Sequence, residues 1–470
     1  MDGIRGLVAE RRAKTFFAIF FSLYSVAIAI QSLLPSYLNF KASEALSFNV
    51  ADGWCTPSRQ GIGTHCFGDF YYTLRFVNLD NPWSTSPNPY PPVSLLFYKP
   101  FAFLVGHFPA SRLPLLLYLF ICLLAALLPA IHLFATHRLS PRHALMIGAA
   151  SLAAAPVLMA LDRGNIQLFL LPFFYFFALS ILENRWGRAL IFGLILILFK
   201  PQMILLGAIF LIGRKWKFLF IWILTCPSAF LLGFFIFPQN IAGNFKAYWH
   251  QVTSYQNYGV PGALSPVNLS LSNTWSLITE NPIFHFSRGA ASFFPSTVTF
   301  LILVVILLNL YLVGNARSTI DNLFILFLLP ILIPTTTFSY YLCMLLPLFI
   351  LVSSDTISRA ENGRTILRGK GAIDTSPLFM IFQNWKTAIL LSGMTILLFA
   401  PWALPWSIFS KFQREAWSNI GINWFVGQFF LAALFISLLF TDSKKLILIN
   451  NRRRLTSLKL LVVNEDEILK

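Results

Sequence analysis

The chain has 470 residues, 57% of them hydrophobic and 11% charged, with 49 phenylalanines. A soluble domain carries roughly 25% charged residues, so this composition excludes an ordinary soluble protein and points to a polytopic membrane protein. The formal net charge of +17 collects in short segments between apolar runs, which argues against a nucleic-acid surface and reads instead as membrane topology.

Membranes are crossed by helices or closed barrels, and barrel strands alternate in ~10-residue segments. Here the apolar runs are continuous and near the length of a spanning helix, so an all-α fold is predicted. The first run, Phe16 to Leu34, follows Arg11, Arg12 and Lys14. It is longer than a signal-peptide core and lacks a clean small-residue cleavage site, so it is expected to remain as a signal-anchor. Further spans are predicted near 112–135, 143–161, 166–182, 188–199, 202–213, 217–237, 296–314, 319–334, 337–354, 387–407 and 421–441. The total is about 12, with both termini cytoplasmic. Run 92–106 follows Tyr90-Pro91 and contains Lys99-Pro100. Reading it as an interfacial or re-entrant helix keeps Arg138 and Arg142 on the cytoplasmic side. Arg185, Arg188, Arg214 to Lys217, Arg364 to Lys370 and Arg452-Arg453-Arg454 then fall on that side too.

Runs 188–199 and 202–213 are too short to cross ~30 Å of hydrocarbon at ~1.5 Å per residue. They meet at Phe199-Lys200-Pro201-Gln202, where proline breaks the helix. The expected hairpin leaves Lys200 in a cavity below the outer surface. Two long extracytoplasmic loops, 35–111 and 238–295, are rich in Tyr, Trp, Asn and Pro. One transmembrane domain is expected over 1–441, followed by a basic cytoplasmic tail, 442–470, against anionic headgroups. Cys122, Cys226 and Cys343 lie in apolar runs and read as packing residues. Cys55 and Cys66 share the first loop, and a bond between them is compatible with an extracytoplasmic position, although their spacing does not set the geometry.

Candidate chemistry gathers on the outer side. Asp69, in Gly68-Asp69-Phe70-Tyr71-Tyr72, is a carboxylate beside aromatic faces and suits a general base. Its structural alternative is a loop carboxylate capping an interfacial helix. Asp80 reads as an Asx-type turn before Pro82. Asp162-Arg163-Gly164-Asn165-Ile166-Gln167 is a polar knot between two spans. A tight turn with an ion pair would explain Asp162 and Gly164 but not Asn165 and Gln167, because polar groups at membrane depth face protein or a water-filled cavity. Lys200 either snorkels or, with Gln202 beside it and Arg163 near, binds a phosphate. The second loop offers His250 and Asn268. Pro334-Thr335-Thr336-Thr337-Phe338-Ser339-Tyr340-Tyr341 closes another outer turn onto the same region. The sequence holds no phosphate-cradling glycine loop, metal constellation or hydrolase elbow, and neither a metal nor a cofactor is expected.

The order of these elements resembles the polytopic GT-C glycosyltransferases, and most closely glycosyltransferase family 87. The resemblance rests on Gly68-Asp69-Phe70-Tyr71, Tyr90-Pro91-Pro92, Asp162-Arg163-Gly164-Asn165, Phe199-Lys200-Pro201-Gln202 and Asn268-Leu269-Ser270, over roughly the first 270 residues. It implies a plasma-membrane bundle that takes an activated sugar, mannose or arabinofuranose, from a polyprenyl-phosphate donor. The transfer would invert the anomeric centre and deliver the sugar to a glycolipid or polysaccharide acceptor on the extracytoplasmic face. It makes Asp69 the catalytic base and Arg163, Lys200 and Gln202 the candidates for the donor phosphate. Tyr71, Tyr90, Asn165, Gln167, His250 and Asn268 are the candidate substrate contacts. The competing reading is a lipid or sugar transporter or flippase, with Asp162, Arg163 and Lys200 along its path. Two long outer loops carrying a carboxylate favour the enzyme.

Overall fold

The computed structural model describes residues 67–84, 88–108, 111–237, 240–258, 269–271, 288–314, 319–334, 337 and 339–362. The predicted spans 16–34, 387–407 and 421–441, the tail 442–470, Cys55, Cys66 and Asn268 lie outside the described residues. Most of the described residues are helical and none of them is in a strand, so the protein is all-α there.

The chain enters through a short helix α1 (Gly68–Leu74) and then α2 (Pro92–His107). Proline at the start of α2 loses nothing, because first-turn N–H groups have no helical partner. Helix α3 (Leu113–Ala135) has 23 residues and mean hydropathy 2.5, enough to cross ~30 Å of hydrocarbon. The next predicted span, 143–161, is broken into α4 (Pro141–Ala153) and α5 (Ala155–Arg163), bent by 56°. Pro156 explains the break: it has no N–H to give to the incoming ladder and its ring crowds the carbonyl four residues back, so the first helix ends and Ala154 turns extended at φ −62°, ψ 129°.

A 3-10 turn (Ile166–Leu168) leads into α6 (Leu171–Leu182), which doubles back into α7 (Trp186–Phe199). Asn184 adopts φ 58°, and the Arg185 N–H donates to the Ser180 carbonyl at 2.7 Å. Helix α7 stops at Lys200, and Pro201 opens a 3-10 segment (Pro201–Gly207) before α8 (Ala208–Ile212). The helix pair on either side of Lys200 is therefore short, as the sequence requires. Trp222 fills its flank, buried, with its indole N–H donating to the Ile204 carbonyl at 3.2 Å.

Trp222 belongs to α9 (Trp216–Leu232), which continues through a 3-10 turn to Ile236 as the second helix long and apolar enough to cross a membrane. Then come α10 (Ile241–Tyr258), α11 (Arg288–Val313), α12 (Thr319–Leu332), a 3-10 segment (Ser339–Leu345) and α13 (Leu346–Asn362).

Burial sorts these helices into a centre and a periphery. Every residue of α12 from Ile320 to Leu332 is buried, and α6 is buried along most of its length. A helix apolar on all sides belongs in the interior. By contrast Leu116, Phe120 and Ile131 of α3, Phe220 and Leu232 of α9, and Phe300 and Leu312 of α11 are exposed. On a soluble protein such a surface would aggregate, whereas against acyl chains it is at home.

Candidate active site

The site begins with two backbone turns facing one another. Helix α5 ends in Gly164 at φ 64°, and the Gly164 and Asn165 N–H groups return to the Leu161 and Ala160 carbonyls at 2.9 and 2.8 Å. This is the left-handed C-terminal turn that glycine enters most easily. It brings Gly164 against α1 so closely that a Cβ there would stand 2.8 Å from the Phe70 Cβ. The same approach allows the Phe67 N–H to donate to the Asp162 carbonyl at 2.6 Å. Two backbones are therefore locked together one residue from Asp69 and one residue from Arg163 and Asn165.

The side chains follow from this. Arg163 donates through Nε to Asp69 Oδ2 and through Nη2 to Oδ1, both at 3.2 Å. Asn165 Nδ2 adds a bond to Oδ2 at 2.7 Å. The carboxylate is thus fixed in its plane by a two-point guanidinium fork and by one amide. Oδ2 accepts two bonds and Oδ1 one, which leaves Oδ1 the better placed to receive a proton. Asp69 keeps 19% of its side-chain area accessible, so the group is held but reachable.

Asn165 does more than hold Asp69. Its Nδ2 also lies 3.2 Å from the Tyr90 hydroxyl, while its Oδ1 caps the next turn by accepting the Gln167 N–H at 3.0 Å. Tyr90 in turn offers its ring to Lys200, whose Nζ is 5.2 Å from the ring centroid and 5.1 Å from that of Tyr341. A cation between two aromatic faces is stabilised without being neutralised. Lys200 is buried, so it does not snorkel to the surface. Gln202 donates to the Tyr341 hydroxyl at 3.0 Å, and Tyr340 lies 5.7 Å beneath the Arg163 guanidinium. Tyr340 and Tyr341, at the start of the 3-10 segment, therefore close onto the same cluster.

The other sequence candidates fall in different places. Gln167 is buried, and neither its amide nitrogen nor its amide oxygen has a partner among the described residues. Tyr71 is exposed next to Asp69, with its ring against Phe70. His250 is exposed on α10 and is not part of the Asp69 cluster among the described residues. That helix approaches instead through Tyr248, a buried phenol held above the usual tyrosine range by burial, with a smaller contribution from Tyr341. At Asp80 the Asx turn is made by its neighbour Asn81, whose Oδ1 accepts the Trp83 N–H at 3.1 Å.

Two residues that the sequence reading passed over support the site from below. Tyr118 and Tyr98 stack on each other, and both hydroxyls reach the Gly164 carbonyl, at 2.7 and 3.4 Å. The signal was a tyrosine inside an apolar run, because a buried phenol needs a partner. Tyr118→Phe is expected to cost about 1 kcal/mol of stability, visible as a lower unfolding midpoint in detergent.

Residues 88–334 match glycosyltransferase family 87, more than half of the chain. The protein belongs to glycosyltransferase family 87. Membership makes it a membrane glycosyltransferase, in accord with its long apolar helices. No curated protein and no solved structure matches the chain. The family 87 segment takes in Tyr90, Arg163, Asn165, Gln167 and Lys200. Asp69 precedes it and is joined to it by the Arg163 and Asn165 bonds.

Proposed function

We propose that this family 87 enzyme moves a sugar, with mannose favoured, from a polyprenyl-phosphate donor to a hydroxyl of a glycolipid or polysaccharide. The reaction runs on the extracytoplasmic face of the plasma membrane. The observation that carries the reading is a carboxylate held at two points and linked through Asn165 and Tyr90 to a buried cation. The basic segments of the sequence, which collect on the opposite side of the predicted topology, favour the outer face.

In this reading Asp69 Oδ1 takes the proton from the acceptor hydroxyl. The freed oxygen forms its bond to the anomeric carbon from the side opposite the donor phosphate. The bond from that carbon to the phosphate oxygen breaks, and polyprenyl phosphate leaves with the electron pair. Lys200 receives the growing phosphate charge, with Gln202 and the Arg163 guanidinium beside it. One displacement with one base inverts the anomeric centre, whereas retention would need a second carboxylate as nucleophile. The amide of Gln167, without a partner among the described residues, suits a sugar hydroxyl, since a buried amide left unpaired is costly.

Lys200 supplies the test of the donor assignment. Lys200→Met keeps the bulk of the stem and removes the charge. It is expected to lower kcat/KM for polyprenyl-phosphomannose by about a hundredfold, with partial recovery in Lys200→Arg. Equal kcat/KM in the wild type and Lys200→Met would remove Lys200 from the donor site. Running the same assay with polyprenyl-phosphoarabinofuranose distinguishes the two sugars.

A further inference from the structure

A second site lies at the other end of the bundle. Helix α6 begins just after Gln167, α7 ends at Lys200, and Tyr118 of α3 holds Gly164. Their opposite ends converge on a cavity of about 390 Å³ lined by Arg138, Glu183, Arg185, Arg188, Phe176 and Phe192, among others. At ~1.5 Å per residue this cavity stands about 20 Å from Lys200 along α7.

Its charge is unbalanced. Glu183 pairs with Arg138 at 2.8 Å and with Arg185 at 3.3 Å, so one carboxylate faces three guanidinium groups. Arg138 Nη1 is shielded from solvent and has no hydrogen-bond partner among the described residues. Arg188 is exposed at the rim. Facing these cations, Phe176 and Phe192 stack at 5.3 Å and form an apolar wall. Cations beside an apolar wall match a molecule that carries an anion on a hydrocarbon chain.

We propose that this cavity binds the phosphodiester headgroup of an anionic phospholipid in the cytoplasmic leaflet. Arg188 and the open part of the Arg138 guanidinium, whose side chain keeps 27% of its area accessible, donate to the phosphate oxygens, and the acyl chain lies along Phe176 and Phe192. A free phosphate would use the cations but leave the aromatic wall uncovered. Basic cavities between spanning helices on the cytoplasmic side are suited to such headgroups.

The test uses the full chain in nanodiscs of mixed phosphatidylglycerol and phosphatidylcholine, released into mild detergent for native mass spectrometry. The wild type is expected to retain phosphatidylglycerol over phosphatidylcholine. Arg188→Gln should reduce that retention about fivefold, and Arg138→Gln with Arg188→Gln about thirtyfold. Because Arg138→Gln also strips Glu183 of a partner, the single Arg188→Gln variant decides the matter. It leaves both Glu183 ion pairs in place, and its unfolding midpoint in pure phosphatidylcholine should equal that of the wild type. The rise in midpoint that phosphatidylglycerol gives the wild type should shrink in this variant. Equal retention of the two lipids, equal retention by all variants, or displacement of the lipid by inorganic phosphate at matched concentration each overturns the proposal.

Discussion

Asp69→Asn is expected to slow sugar transfer by about 10²–10⁴-fold, the usual contribution of a positioned general base. The substitution keeps the outline of the side chain and takes away its ability to accept a proton. The geometry adds a second penalty. The carbonyl of asparagine can take the place of Oδ2, which accepts from Arg163 and Asn165. The amide must then occupy the Oδ1 position and point N–H groups at Arg163 Nη2, 3.2 Å away. Two donors facing each other repel, so the variant loses alignment as well as basicity. Transfer of labelled sugar from polyprenyl-phosphomannose by purified protein reads the effect, with the unfolding midpoint as the control for folding. A variant that works within threefold of the wild type, a margin of about 0.7 kcal/mol in barrier, would remove Asp69 from the mechanism.

The second large effect is expected at a residue without a side chain. Gly164→Ala places a methyl group 2.8 Å from the Phe70 Cβ, at a position where φ is 64°. The left-handed conformation costs alanine about 1–2 kcal/mol, and separating the two backbones adds a similar overpacking cost. A destabilisation of about 2–4 kcal/mol is therefore expected in thermal unfolding. Phe70 adjoins Asp69, and Gly164 sits between Arg163 and Asn165, so relief of the clash moves the base relative to both of its donors. A displacement near 1 Å is enough to cost about a hundredfold in rate. Activity of the fraction still folded should therefore fall far more than its stability suggests. A variant with a lower midpoint but wild-type kcat would show that this turn supports the fold alone.

How much of this was legible in the sequence depended on contrast. Asp69, Arg163 and Lys200 stood out because ionisable groups are rare in an apolar chain and costly at membrane depth. The short helices either side of Lys200 followed from counting residues against the thickness of hydrocarbon. The pairing of Arg163 with Asp69 rather than with a neighbour was not legible. The two are 94 positions apart, and periodicity carries no information across such a distance. Span 143–161 is continuous in hydropathy and so predicts one helix, whereas the backbone obeys Pro156 instead. Tyr98 and Tyr118 were hidden by averaging, since one hydroxyl barely changes the hydropathy of a run yet must still find an acceptor when buried. His250 illustrates the reverse case: a chemically capable residue in a suitable loop, which the fold leaves at the surface.

The bonds of the site also carry a consequence for how the protein is made. Asp69 meets residues 94 and 96 positions later, and Gln202 meets Tyr341 across 139 positions. In a chain synthesised from its amino end, the aspartate emerges long before the groups that hold it. The lysine between its aromatic faces stays incomplete until the residues near 340 have arrived. Local contacts can form the early helices as they insert, while closing such long loops comes late and slowly. A chain released before residue 341 would therefore contain every partner of the Asp69 carboxylate but leave the enclosure around the lysine unfinished.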